Sequence, residues 1–162
     1  MWFATVGGAG YAPLAPGTWG SAVGLCAFFA LERLGLALYG LTLLALLALG
    51  VWASEGAERS FGRPDDGRIV IDEVVGQLIA LLPLVAPPAR AFSGPTWLAL
   101  AVTGFVVFRL LDIWKPGPVR WAEERFEGGA GVMADDVIAG ALAAIPLAAA
   151  VYAGSIAQWV TG

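Results

Sequence analysis

Along the chain, long uncharged runs alternate with short polar breaks, and the alternation predicts a bundle of apolar helices. Residues 1–20 are rich in glycine and proline and read as a loop, in which Pro16 and Gly17 mark the entry to a helix and Thr18 can cap it. The first apolar segment, Trp19 to Leu31, is short against the roughly 20 residues of a full membrane span. Glu32 and Arg33 break it, and Leu34 to Ala53 then gives 20 uncharged residues, the clearest transmembrane helix in the sequence. Ser54 to Arg68 is polar, and Pro64 and Gly67 make its second half a loop. Apolarity resumes at Ile69, is interrupted by Asp72 and Glu73, and runs on until Pro87 and Pro88 end a third segment. A fourth covers Thr96 to Leu111. The fifth, Val137 to Val160, has 24 uncharged residues around Pro146, where a kink is expected.

Composition changes the solvent. With 162 residues the chain fits one domain, 1–162. Hydrophobic residues are 59% and charged ones 14%, against about 45–50% and about 25% in soluble domains, so lipid faces much of the surface. The fold class that follows is all-α, an integral membrane helical bundle with about four to five membrane segments. A net charge of −4 with nine basic residues leaves no cationic face for nucleic acid. The absence of histidine removes Ser-His-Asp hydrolases, histidine-dependent phosphatases and histidine-ligated zinc. Cys26, alone in an apolar run, reads as a small core filler. The first residues lack the pattern of a cleavable signal peptide. Nothing in the sequence sets an oligomeric state.

Basic residues orient the bundle. Arg59, Arg63, Arg68, Arg109, Lys115, Arg120 and Arg125 fall on one side of a five-segment topology, and only Arg33 and Arg90 on the other. The positive-inside rule then places the N-terminus, the 54–73 loop and the 109–136 block at the cytoplasmic face, with the polar site there.

Charge concentrates between Phe108 and Gly140, and five carboxylates recur in a pattern: Asp72 and Glu73, Asp112, and Asp135 and Asp136. Each acidic pair is expected to open an apolar helix, and in each the aspartate is followed four residues on by glycine, Gly76 or Gly140. Residues i and i+4 share a helix face, so each aspartate would stand over a spot where a second helix can come close. Taken singly, such groups read as helix caps or surface ion pairs. Gathered at the edge of a low-dielectric slab they would repel one another and stay ionised only around a cation. An oxygen-only ligand set favours a hard ion, and Mg²⁺ suits a phosphate site. Arg109, Asp112 and Lys115 are spaced by three, and Arg120 follows Pro118. Lys115 reads either as a snorkelling anchor or as a phosphoryl contact. Residues Arg120 to Glu127 suggest a short interfacial helix. The repeated Gly-Gly-Ala-Gly at 7–10 and 128–131 is either flexible linker or a cradle of backbone N–H groups for phosphate.

Four strings carry a resemblance: GGAGYAPLAPGTWGS at 7–21, IDEVVGQ at 71–77, FRLLDIWKPGPVRW at 108–121 and GGAGVMADDVIAG at 128–140. In order and spacing the chain resembles the phosphatidylglycerophosphatase A lipid phosphatases of bacterial membranes. Glu123 and Gly117 depart from the family pattern, which often has aspartate and tryptophan there. The resemblance implies a multi-pass protein of the bacterial inner (cytoplasmic) membrane, a Mg²⁺-dependent phosphomonoesterase that converts phosphatidylglycerophosphate to phosphatidylglycerol and phosphate. On that reading Asp72, Asp135 and Asp136, with Asp112, bind Mg²⁺. Glu73 positions or deprotonates the attacking water, and Asp72 and Asp136 complete the catalytic set. Lys115, Arg120 and Arg109 neutralise the phosphoryl group, and Thr18 is a weaker contact. A small transporter or ion-binding protein with the carboxylates along a pathway is the alternative, and a scaffold subunit a third reading.

Overall fold

A computed structural model describes residues 1–161. Gly162, the end of the expected 1–162 domain, lies outside the described residues. They form helices joined by short turns, with no strand among them: α1 (Pro16–Leu31), α2 (Gly35–Phe61), α3 (Ile71–Leu81), α4 (Gly94–Trp114), α5 (Gly117–Arg125) and α6 (Gly128–Thr161), with 3₁₀ turns between.

The outer surface is apolar. Leu36, Leu38, Leu41, Leu44 and Leu49 of α2 and Val102, Val106 and Leu110 of α4 are exposed, an arrangement that is favourable only where hydrocarbon replaces water. Three helical segments are long and apolar enough to cross a membrane: Pro16–Phe61, Gly94–Trp114 and Gly128–Val160. The first of these holds two helices, α1 and α2, joined by the 3₁₀ turn Glu32–Leu34 and by Gly35. Exposed tryptophans mark the interfaces: Trp19, Trp52, Trp114 and Trp121 at one end and Trp159 at the other.

The third apolar segment is not a span of its own. α3 has 11 residues, about 16 Å of helix, roughly half the hydrocarbon thickness. Nine of them are buried, because α1, α2, α4 and α6 all pack on α3. It is the core of the bundle, and it ends in the turn Leu82–Leu84 at Pro83, before the Pro87–Pro88 stop that the sequence suggests.

Contacts fix the directions. Gly17, Gly20 and Gly24 of α1 lie beside Glu73, Val70 and Gln77, so α1 runs parallel to α3. In α2, the Tyr39 hydroxyl donates to the Leu78 carbonyl at 2.8 Å while Gly50 meets Ile71, so α2 runs antiparallel. Gly104 of α4 touches Leu81 and Phe108 touches Gly76, again antiparallel, and α6 is parallel through Gly76 and Gly140. The alternation brings the N-terminal loop, residues 54–73 and residues 109–136 to one end of the bundle, as the charge pattern predicts. Arg33 and Arg90 line a cavity of about 660 Å³ with Trp97 at the far end.

Several boundaries move for identifiable reasons. α2 continues through the polar residues to Phe61, supported by the Glu55–Arg59 pair at 2.7 Å, and stops at Gly62 in a left-handed conformation. α6 begins at Gly128, not Val137, and Pro146 lies within the continuous helix. Thr18 is no cap. Helix α1 starts at Pro16, whose missing N–H suits the first position, and the Thr18 hydroxyl makes no hydrogen bond among the described residues. Cys26 is exposed on the outer side of α1 rather than buried, since the inner side of that helix is taken by Gly20, Ser21, Gly24 and Phe28.

Candidate active site

The site forms where the first turn of α3, the last turns of α4 and the third turn of α6 meet. Asp72 and Glu73 occupy the first turn of α3, delivered there by the 62–70 loop. That loop is pinned: the Val70 N–H donates to the Ala4 carbonyl at 2.9 Å, and Arg68 forks onto Asp66 at 2.6 and 2.8 Å. The Arg68 hydrogen bond holds the Asp66 carboxyl down at about 2. Arg109 and Asp112 project from the last turns of α4. Asp135 and Asp136 are the eighth and ninth residues of α6, so this pair sits about 10 Å inside its helix and does not open it. The capping explanation therefore fails for Asp135 and Asp136.

Backbone contact sets the spacing. A Cβ on Gly76 would stand 2.6 Å from the Phe108 ring and 2.8 Å from the Asp136 carbonyl, and one on Gly140 would collide with the Gly76 carbonyl. Only glycine lets α3 and α6 cross this closely, and the crossing carries Asp72 and Asp136 to each other. On α1, a Cβ at Gly17 would collide with Glu73 Oε1 and lie 3.3 Å from an Arg109 guanidinium nitrogen.

The carboxylates converge in two triplets, Asp72, Glu73, Asp136 and Asp112, Asp135, Asp136, each with ligand atoms within 4.8 Å of one another. Asp72 and Asp136 are buried, at 8% and 2% exposure. Asp72 Oδ1, Glu73 Oε2 and Asp136 Oδ1 are buried without a hydrogen-bond partner. Bare buried carboxylate oxygens at this density are unfavourable by several kcal/mol unless a proton or a cation neutralises them. The donors are all oxygen. They fit a hard divalent ion such as Mg²⁺ and do not fit a soft one.

Two basic groups stand against the cluster. Arg109 donates to Asp112 and, at 3.3 Å, to the Ser21 hydroxyl. Lys115, just past α4, donates to Asp135 at 2.9 Å and to Glu123 at 2.7 Å. Its backbone is left-handed at φ 46°, a conformation that costs a non-glycine residue about 1 kcal/mol and turns the chain into Pro116 and α5. Partial burial opposes its charge, but the hydrogen bonds to Glu123 and Asp135 outweigh burial and hold the ammonium above the ordinary lysine range. It is charged at every physiological pH.

Beside Asp135 a cavity of about 460 Å³ is walled by Glu58, Asp65, Glu123, Glu127 and Phe126. Those carboxylates repel a phosphate. The glycine repeats pack rather than gape: the Gly129 N–H donates to Glu55 at 3.0 Å, and Gly10 lies against the Arg68 carbonyl. The short helix α5 buries Val119 and Ala122 and leaves Trp121 and Phe126 outside in edge-on contact at 6.1 Å between centroids.

A family model described as phosphatidylglycerophosphatase A matches residues 2–151. The chain belongs to that family. Among relatives, the phosphatidylglycerophosphatase A of Escherichia coli K12 is 36% identical over 85% of this chain and 74% of its own length. The Haemophilus influenzae phosphatidylglycerophosphatase A is 36% identical over 90% and 84%. A Bacteroides thetaiotaomicron protein, named as a proposed phosphatidylinositol-3-phosphatase, is 37% identical over 96% and 91%. No solved structure matches the chain. As a member of the phosphatidylglycerophosphatase A family the protein is a phosphatase, and its apolar helices place it in a membrane.

Of the residues singled out from sequence, the structure brings together Asp72, Glu73, Asp112, Asp135 and Asp136, with Arg109 and Lys115 attached. Among the described residues neither Thr18 nor Arg120 makes a side-chain hydrogen bond or ion pair to the cluster. Arg120 is exposed on α5 and makes no ion pair among the described residues. Sequence reasoning missed Ser21, Glu55 and Gln77. Gln77 is wholly buried with neither amide atom partnered, one turn along α3 from Glu73. Its place four residues after Glu73 was the available signal.

Proposed function

We propose that the protein hydrolyses the phosphomonoester of phosphatidylglycerophosphate to phosphatidylglycerol and phosphate, with Mg²⁺, at the cytoplasmic face of a bacterial inner membrane. One observation carries this reading: buried, unpartnered carboxylate oxygens gather at one end of a lipid-facing bundle, with two cationic side chains beside them. The names of the Escherichia coli and Haemophilus influenzae relatives supply the substrate. Seven basic residues at the site end support the cytoplasmic orientation.

Asp72, Asp112, Asp135 and Asp136 would hold the metal. Bound there, Mg²⁺ would supply positive charge to the phosphoryl oxygens as negative charge builds in the transition state. The chain's own groups do the rest. Glu73, with Oε2 buried and free of partners, takes a proton from a water as the water oxygen bonds to phosphorus. The ester P–O bond breaks, and the glycerol oxygen leaves with a proton from solvent. Arg109 and Lys115 hold Asp112 and Asp135 in place and offset charge on the phosphoryl group. Arg120, exposed on α5 and without an ion pair among the described residues, would contact a phosphate oxygen only once substrate is bound.

The test is phosphate release by the purified protein from phosphatidylglycerophosphate in mixed micelles, with Mg²⁺ or with EDTA. Turnover that needs Mg²⁺ and fails in Asp136→Asn is expected. Turnover in EDTA overturns the metal reading. Turnover confined to phosphatidylinositol 3-phosphate, offered in parallel, overturns the substrate.

A further inference from the structure

The two carboxylate triplets share one member, Asp136. We infer that the site holds two divalent cations, one in each triplet, with the Asp136 carboxylate bridging them; this rests on the cation-dependent reading above. A carboxylate has two oxygens and can serve two ions at once. Asp136 is 2% exposed, and its Oδ1 has no protein partner. A cation in the second triplet alone would leave Asp72 Oδ1, which is buried, without any partner, whereas an ion in the first takes Asp72 and needs only one Glu73 oxygen, which leaves the other for the attacking water. A cation in the first alone would leave Asp112 and Asp135 with only Arg109 and Lys115.

Charge decides between one ion and two. The five carboxylates of the triplets, with Glu123 that shares Lys115, face two basic side chains, Arg109 and Lys115. One divalent cation leaves that set net negative, facing a phosphate monoester that is itself negative. Two bring it to neutrality and remove the repulsion at close range.

The ions are not equivalent. Asp72, Glu73 and Asp136 make no salt bridge among the described residues, whereas Asp112 is held by Arg109 and Asp135 by Lys115. The first triplet therefore carries more uncompensated charge and fills first. The second fills at higher concentration.

The experiment uses the full chain in detergent with Mn²⁺ as the probe, read by equilibrium dialysis and by electron paramagnetic resonance. Two Mn²⁺ per chain, bound in two steps and giving a spin-coupled signal, are expected. Asp136→Asn should abolish the coupling. Asp112→Asn should keep the tighter ion and lose only the weaker one, and that retained ion reports that the variant is folded. One Mn²⁺ per wild-type chain, or two without coupling, overturns the bridge. If one ion binds and phosphate release still requires Mg²⁺, the bridge alone falls. If no Mn²⁺ binds and release ignores EDTA, both readings fall.

Discussion

The Asp72–Glu73 and Asp135–Asp136 pairs share a sequence pattern, an acidic doublet followed by glycine one turn on, yet the fold uses them differently. The first pair opens α3, a short helix at the centre of the bundle, and among the described residues no basic side chain forms an ion pair with it. The second lies two turns inside the longest helix, with Lys115 on Asp135 and Arg109 close by through Asp112. One half of the site has only the nearby Arg109 charge beside it, and the other is held by two direct ion pairs. Similar local patterns thus give unequal electrostatics, because the partners come from other helices.

The hardest blow to this asymmetry is at the shared residue. Asp136→Asn should cost about 10³-fold in kcat/KM, and adding Asp72→Asn should cost little more, since groups that act as a unit are not additive. Full additivity in steady-state kinetics would separate the two halves. The next effect is on the crossing that joins them. Gly140→Val should lower stability by about 1–3 kcal/mol and weaken Mn²⁺ binding to both triplets, seen by thermal melts and dialysis. A variant that melts early but binds both ions normally would uncouple spacing from packing. Cation removal should also register in stability: Mg²⁺ at about 100 times its Kd should add about 2.7 kcal/mol over EDTA, measured by melting in detergent.

Smaller effects sharpen the second half. Lys115→Met should cost roughly 10–100-fold in activity by loosening Asp135, while the Asp72 side keeps its tight ion. Arg120→Ala should act mainly on KM. The smallest effect is remote. Asp66→Asn should destabilise by about 1 kcal/mol or less, because Arg68 is well exposed and water screens the pair. The sign with pH follows from a depressed carboxyl: the contribution stands above the ordinary aspartate range and fades as pH falls through about 2.

Much of this was legible in the sequence because lipid imposes length and apolarity on every crossing helix. Leu34 to Ala53 and Val137 to Val160 read as spans, and alternation alone gathered the charged segments at one end. What periodicity could not show was which apolar run faces lipid and which faces protein. The run from Val74 to the prolines at 87 and 88 reads as one apolar segment, and its pattern does not show that protein wraps an 11-residue α3 ending at Leu81. Cys26 failed for the same reason, since both sides of α1 are apolar. The start of α6 was hidden because glycine and charge look like loop, although Gly129 and Gly131 fit tightly against Glu55 and Phe126. Among site residues, carboxylates clustered as their pattern foretold. Arg120 is exposed on α5 and makes no ion pair among the described residues, which a string of residue types does not show.

The Gly76–Gly140 crossing has one more consequence. Because peptide meets peptide there, the backbones that carry Asp72 and Asp136 are held at van der Waals separation. If the proposed cation site is right, carboxylates carried on backbones that cannot spread should sort ions by size. Mg²⁺, content with short bonds to few carboxylates, should then occupy it better than Ca²⁺, which needs longer bonds and more ligands and should inhibit weakly.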